Sequence, residues 1–319
     1  MPTKFIGPSL VMVFCVSQAF RDVYFANVFQ GVDFFVVILL AFSIATVMFG
    51  AVTIIRKPSE LALMRGEIPA LIWMNLLTAL AWTSYFFSLK YLQPSIVNTL
   101  HSGAGPLTVI VLAAFGIHIA RPSPMQRVEY ICYLGVAASL LFLWWVVLAD
   151  RSGLRTENLI VTLGGLALPL ISGTAITISS LWAKRLNERG IGADAVTAGR
   201  YIVIVVAAFF VVVLGERPPG LATAGEFANL AVMTTVLIVL PLYSLQLGIA
   251  RTAPLSAHTI RSLSPVLVFG CELVDGRITY SGPTLFGIAL YSFFAVASNL
   301  MRGWQDETAQ NIQVLASRN

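Results

Sequence analysis

The residues best suited to chemistry are polar and sit inside apolar stretches at helical spacing. His258, Arg261 and Pro265 follow one another at i, i+3 and i+7, and Asn98, His101 and Gly105 repeat that spacing earlier in the chain. Such residues share one face of a helix. A guanidinium offers a planar fork suited to a carboxylate or phosphate. An imidazole donates or accepts hydrogen bonds and titrates near neutral pH. Aligning Pro94 with Pro254 sets Asn98 opposite His258, His101 opposite Arg261, and Ser102 opposite Ser262. An arginine at the centre of a membrane helix costs about 2.5–3.5 kcal/mol on insertion scales, so its presence calls for a reason. Two readings stand for Arg261. It either contacts substrate or lies about 10 Å along the helix from Pro254 and snorkels to the interface. Each histidine taken alone reads as a satisfied structural group, and Arg200 reads as a snorkelling residue near the start of its span.

Two further stretches bring aromatic and amide groups: Asn75, Trp82 and Tyr85, then Tyr243 and Gln246. Trp82 and Tyr85 at i, i+3 could wall a pocket by stacking. The competing reading is an interfacial aromatic belt, for which Trp82 lies too deep and Tyr85 does not. Gln18, Thr174 and Thr177 are weaker candidates, and Gly164, Gly165, Ser172 and Gly173 read as close-packing residues. Asp22 and Glu272 fall near span ends, leaving no carboxylate in mid-span. Cys15, Cys132 and Cys271 are far apart in apolar stretches and suggest neither disulfides nor a metal site. No phosphate-binding Gly-x-x-x-x-Gly-Lys motif, His-Glu-x-x-His or Gly-x-Ser-x-Gly occurs. The expectation is a protein without cofactor or metal that is not an enzyme.

These residues must be positioned by membrane helices. Of the 319 residues, 57% are hydrophobic and only 11% charged, against about a quarter charged in soluble domains. The mean hydropathy is +0.84 and the pI near 9.3. The net charge of +5 is scattered between apolar blocks rather than gathered into a nucleic-acid patch. A span needs about 20 apolar residues. Candidates fall at 5–20 (extending to about Phe29), 32–55, 67–90, 94–117, 128–149, 158–183, 193–215, 227–250, 254–274 and 281–301. The basic residues set the orientation. A cytoplasmic N-terminus places Lys4, Arg56, Lys57, Arg65, Arg121, Arg127, Lys184, Arg185, Arg189, Arg251, Arg302 and Arg318 inside, and Arg21, Lys90, Arg151, Arg155, Arg217 and Arg277 outside. Both termini are therefore expected in the cytoplasm.

The stretches 79–106 and 239–265 repeat one pattern. A span ends, a turn closes on Pro94 or Pro254, and a polar-dotted helix runs to Pro106 or Pro265. Each copy occupies the third-to-fourth span of a five-span half. An odd span number forces the second half to enter from the opposite side, giving the inverted repeat of many secondary transporters. The expected organisation is an all-α integral membrane protein of ten transmembrane helices as two inverted five-helix repeats, 1–149 and 150–305, with a short cytoplasmic tail at 306–319.

Ser88-Leu89-Lys90-Tyr91-Leu92 and Leu263-Ser264-Pro265, one in each half, resemble motifs of the drug/metabolite transporter superfamily, in its EamA-like ten-span branch. The chain departs from that branch at Arg121-Pro122-Ser123 and Asp275-Gly276-Arg277, where Gly-Glu-Arg is common. The resemblance implies metabolite export across a bacterial inner membrane. The expected function is secondary-active or facilitative transport of an anionic or zwitterionic small molecule by alternating access at a midplane cavity, in a monomer or homodimer embedded in lipid bilayer and without nucleic acid. Trp82, Tyr85, Asn98, His101, Tyr243, Gln246, His258 and Arg261 are the expected substrate-binding residues. The alternative is an intramembrane transferase acting on a lipid-linked substrate, which would want an Asp-rich metal motif or a nucleophile with a base.

Overall fold

The computed structural model describes residues 5–115, 127–155, 158–215, 220, 223–249, 251–252 and 254–316, with backbone alone at 249, 254, 255, 258 and 303–316. The secondary structure among them is helical, with no strand. The first half holds α1 (Ile6–Val28), α2 (Phe34–Arg56), a short α3 (Ser59–Gly66), α4 (Ile68–Tyr91), α5 (Pro94–Ala114) and α6 (Arg127–Leu148). The second holds α7 (Leu159–Glu188), α8 (Ala193–Gly199), α9 (Ile202–Leu214), α10 (Ala224–Thr234), α11 (Leu240–Ile249), α12 (Pro254–Ser262), α13 (Ser264–Glu272) and α14 (Gly282–Ala316).

Among the described residues, nine helical stretches are long and apolar enough to cross a membrane. The sequence reading expects ten. The difference lies at 254–274, which forms two nine-residue helices, α12 and α13, interrupted at Leu263. Proline explains where the interruption falls. Pro265 has no N–H to return to the carbonyl of Arg261, so the chain restarts with Ser264 and Pro265 in the first turn of α13, where a missing donor costs least. Between α10 and α11 a π-helical segment, Thr235–Val239, precedes Pro241 and carries the helix past it. Other ends are capped by side chains. Asp33 accepts from the N–H of Phe35, Asn158 from those of Ile160 and Val161, and Thr223 with Glu226 forms a capping box.

The packing is reciprocal between the halves. α1 lies against α11, α12 and α13, while α7 lies against α4 and α5. α2 packs on α8 and α9, and α6 on α14. Glycine permits the closest approaches. A side chain at Gly173 of α7 would strike the His101 carbonyl of α5, and one at Gly7 of α1 would strike Arg251 and Thr252 before α12. Large apolar side chains such as Val47, Leu134, Leu141 and Phe293 stand exposed on the outside. Phe25, Phe29, Phe42 and Phe86 fill the centre with Trp82 packed against them. This is the polarity of a helical bundle in lipid.

Candidate functional site

The polar centre of the molecule begins on α1. Arg21 and Asp22 are 4% and 0% exposed. The Arg21 guanidinium donates to Asp22 Oδ1 from Nε at 2.9 Å and from Nη2 at 2.7 Å. The other carboxylate oxygen, Oδ2, accepts from the Tyr85 hydroxyl at 2.6 Å and from Asn98 Nδ2 at 2.9 Å. α1, α4 and α5 thus converge on one carboxylate. The guanidinium also lies 5.3 Å from the centre of the Trp82 ring and 5.5 Å from that of Tyr85, within cation–π range. The sequence reading places Arg21 outside the membrane and Asp22 near a span end. The extension of the first span to about Phe29 is matched by α1, which runs on to Val28 and holds both side chains buried more than a turn from its end. Adjacent opposite charges within an apolar helix are the sequence signal for this pair.

His101 follows Asn98 by one turn of α5, and its ring meets Tyr85 edge-on at 4.8 Å. Its Nδ1 is 3.0 Å from Ser172 Oγ of α7. Ser172 in turn donates to the carbonyl of Ala81 on α4 at 2.6 Å. Ser172, read from sequence as a packing residue, therefore links three helices. Arg261 ends the polar stripe of α12 and is exposed. The helix that carries it, α12, packs on α1 and α14. The ion pairs formed among the described residues lie elsewhere and leave Arg261 without a carboxylate partner.

Trp82, Tyr85, Asn98 and His101 therefore come together. Tyr243 and Gln246 do not join their hydrogen bonds: the Tyr243 ring lies 5.9 Å from Phe49 of α2, and Gln246 Nε2 donates to Thr197 of α8 at 3.1 Å. The His258 side chain lies outside the described residues. Asn75 serves the break between α8 and α9, donating to the Gly199 carbonyl at 2.6 Å and accepting from the Val203 N–H at 3.1 Å. Arg200, expected to snorkel, instead donates to Ser179 at 3.0 Å and Thr78 at 3.4 Å, hydroxyls of two neighbouring helices. Thr174 receives a hydrogen bond from Thr108, and Thr177 donates to the Gly173 carbonyl. Gln18 is buried on α1.

A second buried carboxylate closes the far end of α13. Glu272, 1% exposed, accepts from Gln93 Nε2 at 2.8 Å, from Ser95 Oγ at 2.7 Å and from the Ser95 N–H. It satisfies a free backbone donor at the start of α5, where the helix dipole also favours a negative charge. Gln93 passes the connection on, accepting from the Gly153 N–H at 3.0 Å and from Thr284 of α14 at 3.4 Å. Here α13, which follows the polar-striped α12, is fastened to α5.

No family model matches the chain, and no curated protein matches it. A solved crystal structure is similar over 95% of this chain and 98% of the other, with a TM-score of 0.61 and 18% identity. At that identity the likeness shows a shared fold over nearly the whole chain.

Proposed function

We propose that the protein is a secondary-active or facilitative transporter of a small organic anion, working by alternating access between two inverted five-span halves. The observation that carries this reading is the reciprocal packing of the halves. Exchanging the halves turns the contact of α1 with α11, α12 and α13 into that of α7 with α4 and α5. It maps the contact of α2 with α8 and α9, and that of α6 with α14, onto themselves. On this reading α12 and α13 together form the ninth span, which brings the total to ten. Transporters of this kind place substrate sites at the repeat interface, where interrupted helices meet. The resemblance to the drug/metabolite transporter superfamily supports the same reading. It implies export across a bacterial inner membrane, and the distribution of Lys and Arg favours both termini in the cytoplasm.

Charge supports the anion. Arg21 is matched by Asp22, whereas Arg261 carries a permanent charge without a carboxylate partner among the described residues. An arriving carboxylate or phosphate would supply one. Counterflow of radiolabelled organic anions in proteoliposomes tests this. Wild type is expected to exchange at least one of them. Arg261→Lys should slow exchange roughly tenfold by losing the two-pronged fork, and Arg261→Gln should nearly abolish it at unchanged protein level. Wild-type rates in Arg261→Gln would overturn the anion site.

A further inference from the structure

We propose that Gln93, Ser95 and Glu272 form the gate at one end of the transport pathway, and that this clasp fixes the resting conformation as shut where α5 begins and α13 ends. The proposal rests on the alternating-access reading above. It adds which state the empty protein occupies and which groups hold it there.

The two ends of one helix crossing differ. α5 packs on α13, whereas α12 has its main neighbours in α1 and α14. At the α13 end the polar groups are buried and matched. Glu272 takes donors from Gln93 Nε2 at 2.8 Å, from Ser95 Oγ at 2.7 Å and from the Ser95 N–H. The other side of the Gln93 amide accepts from Gly153 N–H at 3.0 Å and Thr284 at 3.4 Å. Gly153 belongs to the loop that joins the halves, and that loop is pinned in turn. The Gly153 carbonyl accepts from the Thr279 N–H at 2.9 Å, and Ser281 Oγ donates to the Arg151 carbonyl at 2.7 Å. A side chain at Gly153 would strike the Thr279 carbonyl. Gln93, Ser95, Glu272 and Thr284 are all buried, so one polar seal runs from α5 through α13 to α14. The opposite end is looser. α5 is buried from Pro94 to Leu100, but His101, Ser102, Gly105 and Pro106 are partly exposed, and Ser256 and Arg261 of α12 are exposed.

The repeat explains why the two ends are not held equally. Aligning Pro94 with Pro254 sets Gln93 and Ser95 opposite Ala253 and Leu255, and aligning Pro106 with Pro265 sets Glu272 opposite Ala113. None of those three side chains donates or accepts a hydrogen bond. Exchanging the halves therefore reproduces the crossing without the clasp. Opening the α13 end breaks hydrogen bonds to a carboxylate, each worth about tenfold or more in an equilibrium, and the mirrored end returns nothing comparable. The empty protein rests closed at the clasp, and a cargo opens it by binding the other state more tightly. With the orientation set by Lys and Arg, the clasp faces outside and the resting state faces the cytoplasm, where an exporter loads.

The test measures spin-label distances in the full-length protein in proteoliposomes, with Cys15, Cys132 and Cys271 replaced by alanine. One label pair, at Tyr91 and Val274, spans the clasp end. The other, at Ala114 and Ser256, spans the opposite end. The unsubstituted gate should give one short distance at the clasp end. Ser95→Ala and Gln93→Leu should each raise a population with a longer Tyr91–Val274 distance by at least about tenfold, and the two together by more. The same population should show a shorter Ala114–Ser256 distance, which a local loosening of the clasp would not produce. Melting temperatures check that each variant is folded. Distances unchanged in the double variant, or a clasp end that lengthens without the opposite end shortening, would overturn the gate. Counterflow of radiolabelled organic anions in the same proteoliposomes then judges the underlying reading. Exchange by a protein whose distances ignore the clasp would leave transport standing, and absence of both exchange and reciprocal distance change would overturn transport and gate together.

Discussion

Arg21 and Arg261 carry the same charge in the same bundle and live in opposite circumstances. Arg21 is buried and grips Asp22 with two nitrogens while lying against two aromatic rings. Arg261 is exposed and has no carboxylate beside it among the described residues. The difference teaches which charge belongs to the scaffold and which is free to meet something else. A satisfied ion pair holds α1, α4 and α5 in register. An unmatched guanidinium does no such work, and under the proposed function its donors would serve a ligand.

Removing Asp22 should have the largest effect on the fold, because it strands a buried guanidinium and two further donors. Asp22→Ala is expected to destabilise by about 3–5 kcal/mol, read as a fall in melting temperature and in monodisperse yield from membranes. The double change Arg21→Met with Asp22→Leu should recover much of that loss. If Asp22→Ala melts like wild type, the pair is not a scaffold element and the contrast with Arg261 fails. Glu272→Ala should come next, at about 1–3 kcal/mol, since its donors at Gln93 and Ser95 lose their acceptor. Glu272→Gln keeps an acceptor oxygen and should cost less. An equal loss in both variants would show that charge, not hydrogen bonding, fastens α13 to α5. Arg261→Gln should have the smallest effect on stability, within about 0.5 kcal/mol, as for surface substitutions away from structural features. A large drop in melting temperature there would make Arg261 structural and remove the comparison altogether.

The two polar-striped segments differ in another respect. Both α5 and α12 start at a proline, and both run toward a second one. α5 continues through Pro106, whereas the second segment breaks at Leu263 before Pro265. Local sequence signals treat the two alike. The tertiary setting separates them: α5 is flanked by α7 and α13, with Gly173 seated against the His101 carbonyl, while α12 packs on α1 and α14 before the chain restarts. Nothing in residue spacing specifies which neighbour a helix acquires.

Legibility in the site divides along the same line. Trp82, Tyr85, Asn98 and His101 were readable because their spacing places them on facing surfaces of consecutive spans. Arg21 and Asp22 escaped as site residues because their place on the first span does not show that Tyr85 and Asn98 of other spans meet the same carboxylate. Tyr243 and Gln246 were polar residues at the right repeat position, yet their partners proved to be Phe49 and Thr197 on other helices. Arg200 looked like a residue reaching for water, and hydroxyls on α4 and α7 met it first.

The sequence by itself determined the helical membrane class, the turns at Pro94 and Pro254 and the polar stripes behind them. Those depend on local hydropathy, on backbone donors that lipid cannot satisfy, and on proline's missing N–H. Only the tertiary structure decided that Asp22 answers Arg21, Tyr85 and Asn98, that Glu272 caps α5 from 177 residues away, and that Ser172 joins His101 to the Ala81 carbonyl. Each of those is a hydrogen bond between distant segments, and its existence depends on which faces of the helices are brought together.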